Sequence, residues 1–256
     1  MNENPVIQLE SVSRIFGKST RVTRALDGVD LSVHSGRSVG IVGESGAGKS
    51  TILKLLMGLD KPTSGVVRYQ GQPLDIKNRA LMREFRSNVQ IVFQDPRSSL
   101  DPRMTVGSIV AEPLRSLQIA GDAKSRVTQV LEWVGLDSDA ASKYPAQFSG
   151  GQRQRIAIAR ALAPSPKVLV ADEPVSALDV SVRSQIIELL KDLKSELGMT
   201  LVMVSHDMAI VGQLCHETVV LRNGTIEESG ATEQVLWHPR APYTRKLLAA
   251  VPQLPF

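Results

Sequence analysis

The chain has 256 residues, 42% hydrophobic and 22% charged, and 30 Lys+Arg against 26 Asp+Glu give it a net charge of +4. That length buries a real core, and the balance is that of a folded globular protein, not a disordered chain. Apolar runs are a few residues long against the about 20 that a membrane span needs, and the single Cys215 excludes an internal disulfide or a multi-cysteine metal site within one chain.

Residues 6–9, 12–16 and 31–33 are short β-rich segments divided by Ser, Gly and Asp, and residues 66–69 are similar. They predict antiparallel strands at the N-terminal side. Residues 38–42 form a compact apolar run without strict alternation, which suits a strand buried on both faces. Residues 49–59 follow a glycine-rich turn and carry Ile52, Leu55 and Leu56 at helical spacing. A second buried strand is expected at 89–93, and then the pattern changes. Residues from about 97 to 163 open with an expected Pro-rich loop (Pro96, Pro102, Pro113). An amphipathic helix follows, with Val127, Val130, Leu131 and Val134 on one face and a stop at Gly135. This reads as a helical insertion into an α/β core. Buried strands return at 168–171, 200–204 and 218–221. Between the first two of these, residues 183–197 place Ile186, Leu190, Leu193 and Leu197 on one helical face before Gly198. Strands alternating with helices imply a mostly parallel sheet. The last twenty residues, with Pro239, Pro242, Pro252 and Pro255, read as an extended tail with a short helix near 244–250.

Gly43, Glu44, Ser45, Gly46, Ala47, Gly48, Lys49 and Ser50 fit G-x-x-x-x-G-K followed by Ser or Thr, between a predicted strand and a predicted helix. Such a loop turns backbone N–H groups inward around phosphate oxygens, and the helix N-terminus adds a favourable dipole. Lys49 is placed to reach the terminal phosphates and the Ser50 hydroxyl to ligate Mg²⁺. The plainer reading is an ordinary glycine turn with an exposed lysine, which the flanking strand and helix disfavour. Asp172 and Glu173 end the apolar run at 168–171, at the strand edge where ligands bind in parallel sheets. Asp172 suits a magnesium ligand and Glu173 the polarisation of an attacking water. Alone, the pair would read as a strand end meeting solvent.

His206 follows the strand at 200–204, on the same predicted edge as the phosphate loop, and its imidazole is placed to hydrogen-bond a terminal phosphate. Gln94 follows the strand at 89–93 and offers a carbonyl oxygen to Mg²⁺ or water. Ser149, Gly150, Gly151 and Gln152 precede a helical run, so Ser149 is a plausible N-cap and the element a second anion site. A capped helix without ligand is the default for such a segment in isolation. Aromatic residues are 4% of the chain and are not interleaved with basic blocks, so no nucleic-acid partner is expected. No basic-then-apolar leader opens the sequence, which with the lone cysteine predicts a cytoplasmic location.

In order and spacing these motifs resemble the ATP-binding subunit of ABC transporters over most of the chain. Gly43 to Thr51 matches the Walker A motif, Gln94 the Q-loop and Phe148 to Gln152 the signature motif. Asp172 and Glu173 match Walker B with its catalytic glutamate, Ser176 to Asp179 the D-loop, and His206 the switch histidine. Phe148 stands where the family usually has Leu, a packing position. The segments 92–103, 148–155, 172–182 and 238–244 resemble the oligopeptide, dipeptide and nickel importer branch. Some of its members carry a cysteine cluster that this chain lacks.

The resemblance implies a RecA-like P-loop core with an N-terminal antiparallel β subdomain and an inserted α-helical subdomain. Its divisions are an ATPase domain at 5–235, the inserted part at 97–163, and a C-terminal tail at 236–256. It implies an ATPase using ATP and Mg²⁺, with Ser50, Gln94 and Asp172 holding the metal and Phe16, 27 residues before Gly43, stacking on adenine. Lys49, Gln94, Glu173 and His206 would carry the chemistry. Two such subunits, copies or paralogues, would pack head to tail so that Ser149, Gly150, Gly151 and Gln152 cover the ATP of the other, with Asp179 nearby. Partners implied are two integral membrane permease subunits, with a short permease helix received beside Gln94, and indirectly an extracytoplasmic solute-binding protein. The chain would sit peripherally on the cytoplasmic face of a bacterial inner membrane. The solute is open: peptide, glutathione, nickel or a metal chelate. Alternatives are a non-transport ABC ATPase, against which the single cassette and the tail speak, and a catalytically dead cassette, against which Glu173 and His206 speak.

Overall fold

The computed structural model describes residues 5–17 and 22–250. Strands β1 (Ile7–Phe16), β2 (Thr23–Val33) and β3 (Val39–Val42) are followed by helix α1 (Lys49–Leu56), strands β4 (Ser64–Tyr69) and β5 (Gln72–Pro73), and helix α2 (Arg79–Asn88). Strand β6 (Val89–Val92) leads into helices α3 (Pro96–Ser99), α4 (Val106–Ser116), α5 (Ala123–Trp133) and α6 (Gly150–Leu162). Strand β7 (Val168–Asp172), helix α7 (Val180–Leu197), strand β8 (Thr200–Ser205), helix α8 (Met208–Leu214) and strands β9 (Glu217–Arg222) and β10 (Thr225–Ala231) come next. Helices α9 (Thr232–Trp237) and α10 (Pro242–Ala249) close the chain. It folds as two compact units, one of residues 1–82 and 200–256, the other of residues 83–199.

In the first unit, β2, β1, β4 and β5 form an antiparallel sheet in that order. The breaks in its sequence pattern have a local cause. Ser11 takes φ 46, the register slips between Glu10 and Ser13, and Asp30 accepts the Ser11 N–H at 2.7 Å. This is a bulge, and it joins two apparent segments into the single strand β1. Opposite lies Gly65, where a Cβ would come within 2.4 Å of the Ser11 carbonyl oxygen, so no other residue fits. The unit's second sheet runs β3 between β8 and β9, both parallel to it, with β10 antiparallel at the edge. β3 and β8 are buried along their whole length. β10 alternates exposed and half-buried residues, as an edge strand does.

The second unit pairs β6 with β7 in parallel, Val92 opposite Ala171. Between these strands the chain is helical: α3 to α6 and two short 3₁₀ turns at Ser138–Ser142 and Pro145–Gln147. The loop expected around the prolines is largely helix instead: Pro96 opens α3, where its missing N–H costs nothing, and Pro113 lies inside α4. The face expected on α5 is buried at Val127, Val130 and Leu131, and Gly135 stops it at φ 70. Ile156, Ile158 and Leu162 of α6, and Ile186 and Leu190 of α7, fill the core. α7 starts three residues before the expected 183 and ends on Gly198 in the left-handed conformation. The short helix expected near 244–250 is present as α10, starting two residues earlier. α9 precedes α10, and Tyr243 and Thr244 are buried. Pro252 and Pro255 lie outside the described residues.

Candidate functional site

The loop from Gly43 to Thr51 leaves β3 and enters α1. Val42 is in register with Ser205 of β8 on one side and Val220 of β9 on the other. His206, exposed, therefore emerges at the same strand edge as Gly43. Close packing makes two of the loop glycines obligatory. A Cβ on Gly43 would lie 2.3 Å from the Leu221 carbonyl oxygen, and one on Gly48 (φ 111) 2.6 Å from that of Ala25. Lys49 donates to the carbonyl oxygens of Gly43 at 2.6 Å and Glu44 at 2.9 Å, so its ammonium lies along the loop. Glu44, Ser45, Gly46 and Ser50 are exposed, Gly48 and Thr51 half-buried, and Ala47 is packed inside. The backbone around His206 is pinned on both sides. Ser205 Oγ accepts the Asp207 N–H at 2.9 Å, and Asp207 caps α8 by accepting from Ala209 and Ile210.

Phe16 ends β1 with 37% of its surface exposed, which excludes the core role that an aromatic there otherwise suggests. The Arg14 guanidinium covers the ring at 4.4 Å from its centroid. Arg14 is itself clamped by Asp60 through Nε–Oδ2 at 2.8 Å and Nη2–Oδ1 at 2.9 Å. Burial pushes the Asp60 carboxyl up. The bonds from Arg14 and from the Lys61 amide outweigh that and hold it below its ordinary value. Arg14 and Asp60 carry no motif, and sequence reasoning missed them.

In the second unit, β7 delivers Asp172 to its end and Glu173 just past it. Glu173 takes φ 44, left-handed backbone on a residue with a Cβ, a conformation that costs about 1–3 kcal/mol and gathers at functional sites. Gln94, two residues beyond β6, donates its amide to Glu173 Oε2 and Ser176 Oγ, each at 3.3 Å. Ser176 Oγ bonds back to the Glu173 carbonyl at 3.1 Å, so three sequence-predicted elements meet here. A cleft of 460 Å³ opens beside them, lined by Phe93, Gln94, Ser98, Arg160 and Asp172 among others. Burial holds the Arg160 guanidinium below its ordinary value, with Glu112 opposing the shift.

Ser149 is the N-cap of α6 in a complete capping box. Its Oγ accepts the Gln152 N–H at 3.2 Å, and Gln152 Oε1 accepts the Ser149 N–H at 2.9 Å. The two glycines differ. Gly150 is exposed, whereas Gly151 is buried, and a Cβ there would lie 2.3 Å from Val182 Cγ1 of α7. Gly151 thus serves helix packing as well as the loop. Phe148 is buried, as a packing position requires. Asp179 precedes α7, exposed. The predicted residues so fall into two sets, each inside its own unit. Phe16, Gly43 to Thr51 and His206 are in the first. Gln94, Ser149 to Gln152, Asp172, Glu173 and Asp179 are in the second.

An α/β unit with a glycine-enforced loop between a buried strand and a helix, and another with a carboxylate-ended strand and a capped glycine helix, are the parts expected of a nucleoside-triphosphate-binding cassette. The family described as ABC transporter matches residues 26–176, and the chain belongs to that family. It is 48% identical over 231 residues to the oligopeptide transport ATP-binding protein OppD of Mycobacterium tuberculosis, covering 90% of the chain and 38% of that protein. It is 44% identical over 244 residues to OppF, the oligopeptide transport ATP-binding protein of Lactococcus lactis, covering 94% of the chain and 76% of OppF. The glutathione import ATP-binding protein GsiA of Salmonella typhimurium is 46% identical over 257 residues, covering 97% of the chain. The chain spans only 38% of the OppD length and 41% of the GsiA length. Among solved structures, the ATP-binding cassette MJ0796 as a post-hydrolysis dimer bound to ADP and Pi aligns with TM-score 0.79 and 33% identity. That alignment covers 88% of this chain and 98% of that one. CbiO1 of Clostridium perfringens, part of an ABC transporter complex, aligns with TM-score 0.81 and 29% identity, covering 97% and 96%.

Proposed function

We propose that the chain is the ATP-hydrolysing motor subunit of an ABC importer for short peptides. The observation that carries the reading is the strained Glu173, held by Gln94 at the end of a buried strand, in a chain that also builds the Lys49 phosphate loop. In this reading the loop N–H groups and Lys49 bind the phosphates, and Phe16, its one face covered by Arg14, offers the other to adenine. Glu173 takes a proton from the attacking water. The oxygen of that water bonds to the γ-phosphorus, the bond to the bridging oxygen breaks, and ADP and phosphate result. His206 hydrogen-bonds the γ-phosphate and reports its loss.

The Ser50 hydroxyl, the Gln94 amide oxygen and the Asp172 carboxylate are each hard oxygen donors of the kind Mg²⁺ takes, and these are the residues that would hold it. When bound, Mg²⁺ neutralises charge building on the phosphates.

The second part of the proposal concerns assembly. Two cassettes, copies or paralogues, clasp each ATP between the loop of one and Ser149, Gly151 and Gln152 of the other. This reading draws on MJ0796, solved as a dimer. Among the described residues no helix is long and apolar enough to cross a membrane. A peripheral place on the cytoplasmic face, against two permease subunits fed by a solute-binding protein, follows from the importer reading, with the cleft beside Gln94 as the docking point. The relatives named for oligopeptide and glutathione import favour peptide-like solutes over nickel. The test is Mg²⁺-dependent ATPase activity of the full chain at rising concentration, alone and with co-purified permeases. Activity that grows faster than protein concentration, and is abolished in Lys49→Ala, supports the reading. Absence of hydrolysis in the assembled complex refutes it.

A further inference from the structure

The C-terminal segment reaches the phosphate loop through one side chain. Tyr243, in the first turn of α10, is 7% exposed, and its hydroxyl accepts the N–H of Glu44 at 3.4 Å. Glu44 is the residue whose carbonyl accepts Lys49, beside Gly43, which accepts it too. The backbone that holds the phosphate-facing lysine is thus braced from behind by the tail. The ring of Tyr243 lies under the Arg222 guanidinium at 4.7 Å from its centroid. Arg222 ends β9, directly after Leu221, whose carbonyl packs against Gly43. Both supports therefore converge on residues 43–44.

α10 is fastened where it begins. The Glu228 carboxylate on β10 accepts the Arg240 N–H at 2.8 Å and the Ala241 N–H at 3.1 Å, and Arg245 donates to the Arg240 carbonyl at 2.8 Å. Pro242 at the first helical position presets the turn. A tyrosine wanted only for its volume would be served by Phe. The aromatic body here fills the core while the polar tip meets a loop amide.

We infer that Tyr243 is a positioning residue for the nucleotide: through Glu44 it fixes the entry of the phosphate loop, so that docking of the C-terminal segment and ATP affinity are coupled. The inference rests on the reading of Gly43 to Thr51 as an ATP-phosphate loop. Removing the hydroxyl frees the Glu44 amide and lets the loop sample geometries that bind phosphate less well. It touches no reacting atom, so affinity changes and the chemical step does not.

The test is Tyr243→Phe in the full chain, which keeps the ring and its packing. KM for Mg-ATP is expected to rise about three- to tenfold, the worth of one hydrogen bond, with kcat within about twofold. Amide exchange of residues 43–51 without nucleotide is expected to quicken, with the melting temperature lowered by no more than the about 2–4 °C that one lost hydrogen bond costs in a chain of this length. Tyr243→Ala serves as a second variant, with a larger rise in KM. A parental KM in Tyr243→Phe overturns the inference, and so does parental exchange in the loop. Lys49→Ala separates the two claims. If it binds Mg-ATP normally, the phosphate-loop reading falls and takes the inference with it. If it loses binding while Tyr243→Phe keeps the parental KM, the inference alone falls.

Discussion

Ser149 has two jobs in this account, and one pair of substitutions divides them. As N-cap of α6 its hydroxyl accepts the Gln152 amide at 3.2 Å, with the reciprocal bond at 2.9 Å. Ser149→Ala deletes the first bond and costs about 1 kcal/mol of stability. In a chain of this length that lowers the melting temperature by about 2–4 °C. Asp caps a helix as well as Ser and adds a favourable interaction with the helix dipole, so Ser149→Asp restores the melting temperature. Hydrolysis goes the other way. If Ser149 meets the γ-phosphate of ATP held by a second cassette, Asp sets a carboxylate against it. At about 4 Å and an effective dielectric of about 20 the repulsion is about 4 kcal/mol, which lowers hydrolysis on the order of a hundred- to thousandfold. Thermal unfolding and steady-state ATPase assays on the parent and both variants read the two effects separately. A Ser149→Asp chain that melts like the parent and hydrolyses ATP at the parental rate refutes the second job.

Glu173→Gln is expected to bind Mg-ATP with parental affinity, to slow hydrolysis by at least about a hundredfold, and to accumulate an ATP-dependent dimer visible by size-exclusion chromatography. Gly151→Ala is expected to lose about 1–3 kcal/mol because its Cβ would meet Val182 at 2.3 Å. The pair Gly151→Ala with Val182→Ala recovers part of that loss in denaturant melts. Arg14→Ala, which uncovers Phe16, is expected to raise KM for ATP a few-fold, by about the worth of one cation–π contact, and to leave kcat unchanged. The folded Asp60 carboxyl lies below its ordinary value of 3.8, so its ionised form is favoured by folding. The stability difference between parent and Asp60→Asn is therefore full at neutral pH and fades as pH falls below about 3.8. A difference that grows with acidification would contradict the assignment.

Residues that chemistry places at strand edges were readable, because spacing alone carries them. The loop from Gly43 to Ser50, and Asp172 with Glu173 after an apolar strand, needed no structure. The capping box at Ser149 was half readable: the Ser and the Gln three residues on are visible in sequence, the packing of Gly151 against Val182 is not. β1 was read as two segments because a bulge at Ser11 interrupts the alternation, and its partner Gly65 lies 54 residues away. Long-range polar contacts left no periodic trace. Nothing in sequence joins Arg14 to Asp60 or Tyr243 to Glu44, since each pair is 46 or 199 residues apart and is brought together only by the sheets. The short helix near 244–250 was readable within the proline-rich tail, and α10 begins two residues earlier because proline is tolerated at the first helical position, where Pro242 sits.

The central claim is that ATP is enclosed by two polypeptides, each supplying a different set of groups. A structure of Glu173→Gln with Mg-ATP reads it directly. The account predicts a dimer in which every γ-phosphate lies within hydrogen-bond distance of Lys49 from one chain and Ser149 from the other. A nucleotide held by a single chain, with Ser149 remote from any terminal phosphate, would contradict it.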